Sequence, residues 1–152
     1  ALMIDSTTRL NTPGPDLAAL DGVHALTDVT GFGLAGHALE MARGAKLDVH
    51  LDWSAVPVFD GVRELAMAGF VTGASARNWA GYGAEVALPP GFAAVDQALL
   101  SDPQTSGGLL VSCAPAALPQ VMAVLAQHGF AQACVVGSMS AMQADAPMLR
   151  VV

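Results

Sequence analysis

The sequence passes from a strand into a helix at Thr27–Gly33, which reads TDVTGFG. Residues 23–29 predict the strand, and residues 33–43 predict the helix, with Thr30 as its N-cap. Glycine allows close approach of the backbone and positive φ, and successive N–H groups can then face an anion. A nearby carboxylate such as Asp28 can bind a hard cation. A loop of this kind suits a metal ion or a phosphate group.

A second loop of similar composition lies at Asp102–Gly108, which reads DPQTSGG and precedes an apolar segment. Its hydroxyl side chains can cap backbone groups, and its glycines permit a sharp entry into a strand. Two interpretations of this segment remain open: a purely structural turn and a ligand-binding loop. Because the density of polar residues exceeds what a turn requires, we favour a loop that packs against the first one. The phosphate- or nucleotide-loop candidates are Thr27, Thr30, Gly31, Gly33, Asp102, Gln104, Thr105, Ser106, Gly107 and Gly108.

Helices are predicted from apolar residues at helical spacing and from glycines and prolines at the ends. They cover residues 2–10, 16–21, 33–43, 60–68, 92–100 and 116–128, with Gly44, Gly69 and Gly129 at three of the ends. Residues 1–22 are predicted to form connector helices between domains. Residues 70–83 show no periodicity, so we predict a long loop there, of the kind that can act as a lid.

Strands are predicted where short apolar or alternating runs lie between turn residues. They cover residues 23–29, 47–51, 84–88, 109–113 and 133–138. The last two strands flank the helix at 116–128, which predicts a βαβ-like unit. Because helices and strands alternate along the chain, we expect an α/β or α+β sheet layered with helices.

Composition limits the classes of function. The chain has 152 residues, enough for one domain, and 53% are hydrophobic while only 12% are charged, which indicates that another domain or subunit covers part of the surface. Six Lys and Arg against thirteen Asp and Glu, with no basic run, argue against a nucleic-acid partner. No apolar run reaches the roughly 18 residues of a membrane span.

Two further features concern the setting of the protein. Cys113 and Cys134 lie in apolar segments and are predicted to be buried free thiols of a cytoplasmic protein. The chain begins without methionine, in an apolar amphipathic segment, so we expect it to be a domain of a longer protein.

Residues 31–36, GFGLAG, fit the pattern G-x-G-x-x-G after a strand, so a dinucleotide-binding domain is an alternative. Against it, Asp28 would lie beside the pyrophosphate and repel it. A bridging Mg²⁺ reverses this local electrostatics, which favours a metal-assisted phosphate site. A third interpretation also remains open, in which the N-terminus of the helix packs tightly and binds no ligand. The histidines lack helical metal-pair spacing and are expected to be structural or surface residues: His24, His37, His50 and His128.

With TDVTGFGLAGHALE at residues 27–40 and DPQTSGGLL at residues 102–110, the chain resembles the C-terminal domain of selenophosphate synthetase, also called selenide, water dikinase. The resemblance covers nearly the whole chain, including residues 65–78. It places the chain in the aminoimidazole ribonucleotide synthetase-like superfamily. It also implies a layered α/β sandwich with a mixed sheet flanked by helices, formed by residues 23–152 as a single domain.

The resemblance implies an enzyme that uses ATP, selenide and water to make selenophosphate, AMP and orthophosphate with Mg²⁺. Asp28 resembles the one Mg²⁺ ligand of the C-terminal domain, and the other loop candidates would shape the nucleotide site. The catalytic Cys or selenocysteine, the ATP and selenide contacts and the homodimer interface belong to an N-terminal half in that family. No catalytic residue is therefore assigned here, and the isolated chain is expected to be inactive. A noncatalytic binding or interaction module of the same fold remains an alternative.

Overall fold

A computed structural model describes residues 2–152, which contain seven α-helices, six strands and three short 3-10 helices. The α-helices are α1 (Leu2–Thr7), α2 (Gly14–Ala18), α3 (Gly33–Ala45), α4 (Val62–Met67), α5 (Gly73–Tyr82), α6 (Ala94–Leu100) and α7 (Leu118–Gln127). The strands are β1 (Val23–Asp28), β2 (Leu47–Leu51), β3 (Val86–Ala87), β4 (Leu109–Cys113), β5 (Gly137–Ala141) and β6 (Leu149–Val151). The 3-10 helices are Trp53–Ala55, Gly83–Glu85 and Pro115–Ala117.

The strands form two separate sheets. β1 and β4 pair as an antiparallel two-stranded ribbon, and the other four strands form a sheet in the order β3-β6-β2-β5. In this larger sheet β2 pairs antiparallel with β5, whereas β6 pairs parallel with both β2 and β3. The mixed sheet with its helices confirms the expected layered α/β (α+β) architecture.

The two-stranded ribbon brings the glycine-rich loops together. β1 ends at Asp28, whose partner across the ribbon is Leu109, the first residue of β4. Because the two strands run antiparallel, the loop that leaves β1 and the loop that enters β4 lie at the same end of the ribbon. Strand pairing between distant parts of the sequence therefore builds the candidate site.

The core lies between α3 and the larger sheet. The buried face of α3 carries Ala35, Ala38, Leu39 and Ala42, spaced three or four residues apart as a packed helix face requires. Alanines let the helix approach the sheet closely. Full burial of a leucine such as Leu39 stabilises the fold by about 1.5–3 kcal/mol. The rigid sheet thereby fixes the start of α3, where the first loop ends.

Helix α3 differs from its prediction at both ends. It continues past Gly44 to Ala45, and its C-cap is Lys46, which adopts a left-handed φ of 54° and donates its amide to the carbonyls of Ala42 and Arg43. Gly44 therefore does not end the helix. At the other end Phe32, not Thr30, occupies the N-cap position, and no side chain caps the helix there. Both caps lie two residues from their predicted positions: Lys46 takes the C-terminal role predicted for Gly44, and the Thr30 side chain contacts His37 instead of capping the N-terminus.

The predicted loop at residues 70–83 is wrong, since Gly73–Tyr82 forms helix α5. Its N-cap is Thr72, whose hydroxyl oxygen accepts a hydrogen bond from the amide of Ser75 at 3.2 Å. Residues 73–82 include glycines, serine and asparagine, all poor helix formers, so intrinsic propensity alone does not predict this helix. Contacts with the rest of the fold stabilise it instead.

The predicted βαβ-like unit is also wrong. β4 belongs to the ribbon and β5 to the larger sheet, so α7 connects two different sheets. The last predicted strand at residues 133–138 is displaced to Gly137–Ala141. β2 and β4 have the predicted bounds, and the other predicted helices and strands are found with shifted ends. Strand β6, which lies between β3 and β2 in the larger sheet, was not predicted.

The segment before β1 packs on the domain. Leu17 of α2 is fully buried. Arg9 donates to the carbonyl of Gly129 at 2.8 Å, and Nε2 of His128 lies 2.8 Å from the carboxylate of Asp16. Helix α2 and the segment between α1 and α2 are thus held against the end of α7. Across residues 2–152, each helix is too short or too polar to traverse a bilayer.

Candidate functional site

Two backbone hydrogen bonds join the glycine-rich loops directly. The amide of Val29 donates to the carbonyl of Gly108 at 2.9 Å, and the amide of Gln104 donates to the carbonyl of Thr30 at 2.9 Å. The same Thr30 carbonyl accepts from the amide of Gly33 at 3.1 Å, which closes the turn into α3. The second loop therefore packs against the first, as the sequence predicts.

Gly33 and Gly107 mark the closest approach of the two loops. A Cβ on Gly107 would lie 1.8 Å from the carbonyl oxygen of Val29, and a Cβ on Gly33 would lie 2.6 Å from the backbone just before the second loop. Gly33 also has a φ of 70°, which disfavours residues with a side chain. Gly31 and Gly108 would meet no atom within 4 Å. Packing thus requires two of the glycines, whereas the other two border open space.

Asp28 lies at the end of β1 with its side chain exposed. Within residues 2–152, no donor forms a hydrogen bond or an ion pair with its carboxylate. The nearby N-terminus of α3 carries unpaired N–H groups and a partial positive charge, which favour an anion. The Asp28 carboxylate can therefore bind a cation, and the N-terminus of α3 can bind an anion.

These residues fit a Mg²⁺ ion that is shared with other ligands. The described part of the chain contains no group of three or more His, Cys, Asp or Glu side chains that could hold a metal. Mg²⁺ is usually held by one or two carboxylates, with phosphate and water oxygens in the remaining positions. A single free carboxylate beside open backbone can supply one ligand of such an ion, but it does not form a complete metal site.

The carboxylate of Asp102 is already engaged, unlike that of Asp28. Its Oδ1 accepts from the hydroxyl of Ser75 at 2.8 Å and from the hydroxyl of Thr72 at 3.1 Å. Both donors lie at the start of α5. These bonds attach the second loop to that helix, so loop architecture accounts for this aspartate.

The other candidates in the two loops differ in how firmly they are held. The Gln104 side chain donates to the carbonyl of Asp102 at 3.1 Å, and the Thr27 hydroxyl donates to the carbonyl of Asp28 at 3.2 Å. Thr105 and Ser106 are exposed, and Ser106 has a left-handed φ of 55°. Their hydroxyls make no hydrogen bond within residues 2–152, so they remain available to a ligand or a partner.

Helix α5 holds both loops, and the sequence did not predict its role. The side-chain amide of Asn78 donates to the carbonyl of Gly31 at 2.8 Å and to the carbonyl of Ser101 at 3.0 Å. The hydroxyl of Tyr82 donates to the carbonyl of Phe32 at 2.7 Å. Burial raises the pKa of Tyr82 to about 12, so the phenol stays protonated and keeps this bond at neutral pH.

His37 supports the first loop from within α3. Its buried ring places Nε2 at 3.1 Å from the hydroxyl of Thr30. Nδ1 lies 2.8 Å from a carboxylate oxygen of Glu40, a close contact that lacks hydrogen-bond alignment. The Thr30 side chain thus contacts the second turn of α3 instead of capping its first. His50 lies 3.1 Å from the hydroxyl of Ser140 on the neighbouring strand.

The topology contradicts the dinucleotide-binding alternative. That fingerprint requires β1, α3 and the next strand to form a parallel βαβ unit. Within residues 2–152, β1 pairs antiparallel with β4, and β2 belongs to the other sheet. The last glycine of the pattern, Gly36, is explained by packing, since a Cβ there would lie 2.5 Å from Phe32 and 3.1 Å from Tyr82.

The two cysteines are free, but neither is fully buried as predicted. Cys113 is half-buried at the end of β4, whereas Cys134 is exposed. The thiol of Cys134 donates to the carbonyl of Ala55 at 3.3 Å. Its exposure follows from the displacement of β5, because residues 133–136 do not join the sheet.

Comparison with known proteins agrees with this geometry. The family described as AIR synthase related protein, C-terminal domain, matches residues 7–149. The chain belongs to this family. This AIR synthase related domain is also homologous to the C-terminal region of proteins named "Selenide, water dikinase".

Two of these relatives show the extent of the match. The protein of Pseudomonas straminea is 58% identical over 139 residues, which cover 91% of this chain and 39% of the relative. The protein of Dechloromonas aromatica is 54% identical over 138 residues, covering 91% and 40%. The AIR synthase related domain therefore spans about two fifths of the length of the curated relatives that it matches.

A solved structure supports the fold independently. The crystal structure of E. coli HypE, a hydrogenase maturation protein, superposes with a TM-score of 0.63 at 18% identity, covering 92% of this chain and 35% of HypE. At this identity the likeness concerns the fold alone. It confirms the layered α/β architecture of the AIR synthase related domain.

Proposed function

We propose that this chain is the C-terminal domain of a selenophosphate synthetase, an enzyme that converts ATP, selenide and water into selenophosphate, AMP and orthophosphate. The observation that carries the proposal is the 58% identity to a selenide, water dikinase across 91% of the chain. In this proposal residues 23–152 form the C-terminal domain, and residues 1–22 connect it to the N-terminal half. That half supplies the nucleophile and the homodimer interface.

Asp28 is the proposed Mg²⁺ ligand of this domain. When bound, the cation neutralises negative charge on the phosphates during phosphoryl transfer. The carboxylate can accept a metal without giving up an existing bond, because no described residue engages it. Open space beside Gly31 leaves the backbone before α3 accessible to a phosphate oxygen. The domain would thus contribute charge and position, and it would supply no nucleophile.

A chimeric enzyme tests this function. The segment of the Pseudomonas straminea relative that matches this chain is replaced by the chain itself, and formation of AMP and selenophosphate is measured with ATP, selenide and Mg²⁺. We expect activity from the chimera and none from the isolated chain. An inactive but folded and dimeric chimera would contradict the proposal and favour the noncatalytic binding module.

The role of Asp28 is tested in the same chimera with Asp28→Asn. We expect the rate to fall by at least about 100-fold. Removal of a residue that merely orients a metal ligand already lowers metal affinity or activity by about 10–100-fold, and Asp28 would be a ligand itself. The variant should stay within about 0.5 kcal/mol of the original in unfolding free energy, since this exposed side chain has no partner to lose. Asp60→Asn, which removes an exposed carboxylate outside both loops, is the matched control. Full activity of Asp28→Asn would refute the metal-ligand role.

A further inference from the structure

One face of helix α5 contacts both glycine-rich loops. Thr72 and Ser75 at its start bind the carboxylate of Asp102, and Tyr82 at its end binds the carbonyl of Phe32. Asn78 lies between them. Because these residues recur at three- or four-residue spacing, they project from the same side of the helix. The helix therefore lies along the junction of the two loops.

Asn78 is the residue on this face that bonds to both sides of the junction through a single group. Its Nδ2 lies 2.8 Å from the carbonyl oxygen of Gly31 and 3.0 Å from that of Ser101. Carbonyl oxygens only accept hydrogen bonds, and an amide nitrogen carries two hydrogens. Both hydrogens of Nδ2 are thus used, one for Gly31 in the first loop and one for Ser101, the residue directly before the second loop. Asparagine is also a poor residue for the middle of a helix, so helix propensity does not account for it.

We infer that Asn78 is a positioning residue that couples the two glycine-rich loops and thereby sets the place of the Asp28 carboxylate. Gly31 follows Asp28 within the first loop, and Ser101 directly precedes Asp102 of the second. The backbone bonds between the loops and the close contacts of Gly33 and Gly107 lie on the same junction. Loss of the shared amide should consequently loosen both loops together.

The first test uses amide hydrogen exchange of the isolated chain and does not depend on activity. Asn78→Asp keeps the shape of the side chain, but it replaces the shared donor by an oxygen that repels both carbonyls. We expect the amides of Gly33 and Gln104, which both bond to the Thr30 carbonyl, to exchange at least about tenfold faster. Amides in β2, at the centre of the larger sheet, should be unchanged.

Two further variants separate loop coupling from general loosening. Asn78→Ala removes the donor while improving helix propensity, so faster exchange in the loops cannot then arise from a weakened α5. Asn11→Ala removes a comparable amide that donates at 2.9 Å to the carbonyl of Gly107 in the second loop only. We expect Asn11→Ala to leave the Gly33 amide unchanged. If Asn78→Ala affects one loop alone or neither, the coupling is refuted.

The consequence for the Asp28 carboxylate rests on the proposed function and is tested in the active chimera. Asn78→Asp should lower kcat by about tenfold to 100-fold, as expected when a reacting group is displaced. It should also raise the Mg²⁺ concentration that gives half-maximal rate, which a change in stability alone would not do. Asn11→Ala should change neither quantity. Native kcat and Mg²⁺ dependence in Asn78→Asp would overturn the positioning role.

The two hypotheses fail in different ways. If the proposed function is wrong, the chimera is inactive or Asp28→Asn keeps full activity, while hydrogen exchange still decides whether Asn78 couples the loops. If the coupling is wrong, the chimera is active and loses activity on Asp28→Asn. In that case the amide hydrogen exchange rates of the two loops are the same in the Asn78→Ala variant as in the original chain.

Discussion

Gly107 is the residue at which the two loops approach most closely. Substitution by alanine would place a Cβ 1.8 Å from the carbonyl oxygen of Val29, so the loops must separate. Such overpacking typically costs about 1–3 kcal/mol. We expect Gly107→Ala to lower the free energy of unfolding in urea by that amount or more. Its neighbour provides the control, since a Cβ on Gly108 meets no atom within 4 Å and Gly108→Ala should be nearly neutral. Equal stability of the two variants would contradict this packing.

The two aspartates of the loops show how far residue-level prediction extends. Both stand in similar sequence surroundings, and both were predicted as site residues. In the structure Asp28 is free, whereas Asp102 is bound by Thr72 and Ser75 of α5. Those partners lie 30 and 27 residues away along the chain, and no local sequence pattern predicts these contacts. The type of loop was therefore predictable, but the division of roles between the aspartates was not.

At the scale of elements, a buried ion pair joins adjacent strands of the larger sheet. Asp48 of β2 is fully buried, and its Oδ2 accepts from the guanidinium of Arg150 in β6 at 2.8 Å and from the amide of Gln143 at 3.0 Å. The hydrogen bond from Arg150 outweighs the effect of burial and lowers the pKa of Asp48 below its usual value. The pair thus favours the ionised carboxylate in the folded state.

This lowered pKa predicts how stability depends on pH. The stabilisation from ionised Asp48 is fully present above the unfolded-state pKa near 4 and is lost as the pH falls through the lower folded-state pKa. We expect urea unfolding to show stability that declines below about pH 4, and Asp48→Asn to flatten that decline while lowering stability at neutral pH. Asp145→Asn, at an exposed turn, is the control. An unchanged pH profile in Asp48→Asn would contradict the assignment.

Helix α5 is the helix that sequence reasoning missed. Its residues 73–82 have weak apolar periodicity and low intrinsic helix propensity, so they predicted a loop. The helix is held by tertiary contacts, including the buried hydroxyl of Ser75 and the bond from Tyr82 to Phe32. Tertiary packing commonly supplies most of the stability of a short helix, which explains why the local signal was insufficient.

At the scale of the whole molecule, apolar side chains remain exposed around α4. The exposed fraction is 74% for Phe70, 66% for Met67 and 54% for Leu65. Phe59 and Val71 add to this stretch of chain at 48% and 49%. Concentrated apolar exposure of this kind favours association.

We therefore expect the isolated chain to self-associate weakly. Sedimentation velocity at increasing concentration should show a rising weight-average sedimentation coefficient, and the double variant Leu65→Gln, Phe70→Gln should reduce the rise. Val152→Gln, which changes an exposed apolar residue at the far end of the chain, is the control. A monomer at every concentration would contradict the expectation.

The sequence by itself determined the class of fold, the strand–loop–helix unit around Asp28 and the contact between the two glycine-rich loops. The first two depend on local patterns: the period of apolar residues, the position of glycines and the order of elements. The third was predicted from the density of polar residues at 102–108, and the pairing of β1 with β4 brings it about. Only the tertiary structure decided that β1 and β4 form their own ribbon, that residues 73–82 are helical, and that Asn78 joins the loops. The reason is distance along the chain. Asn78 bonds to residues 47 and 23 positions away, and such pairings arise only when the folded core brings the elements together.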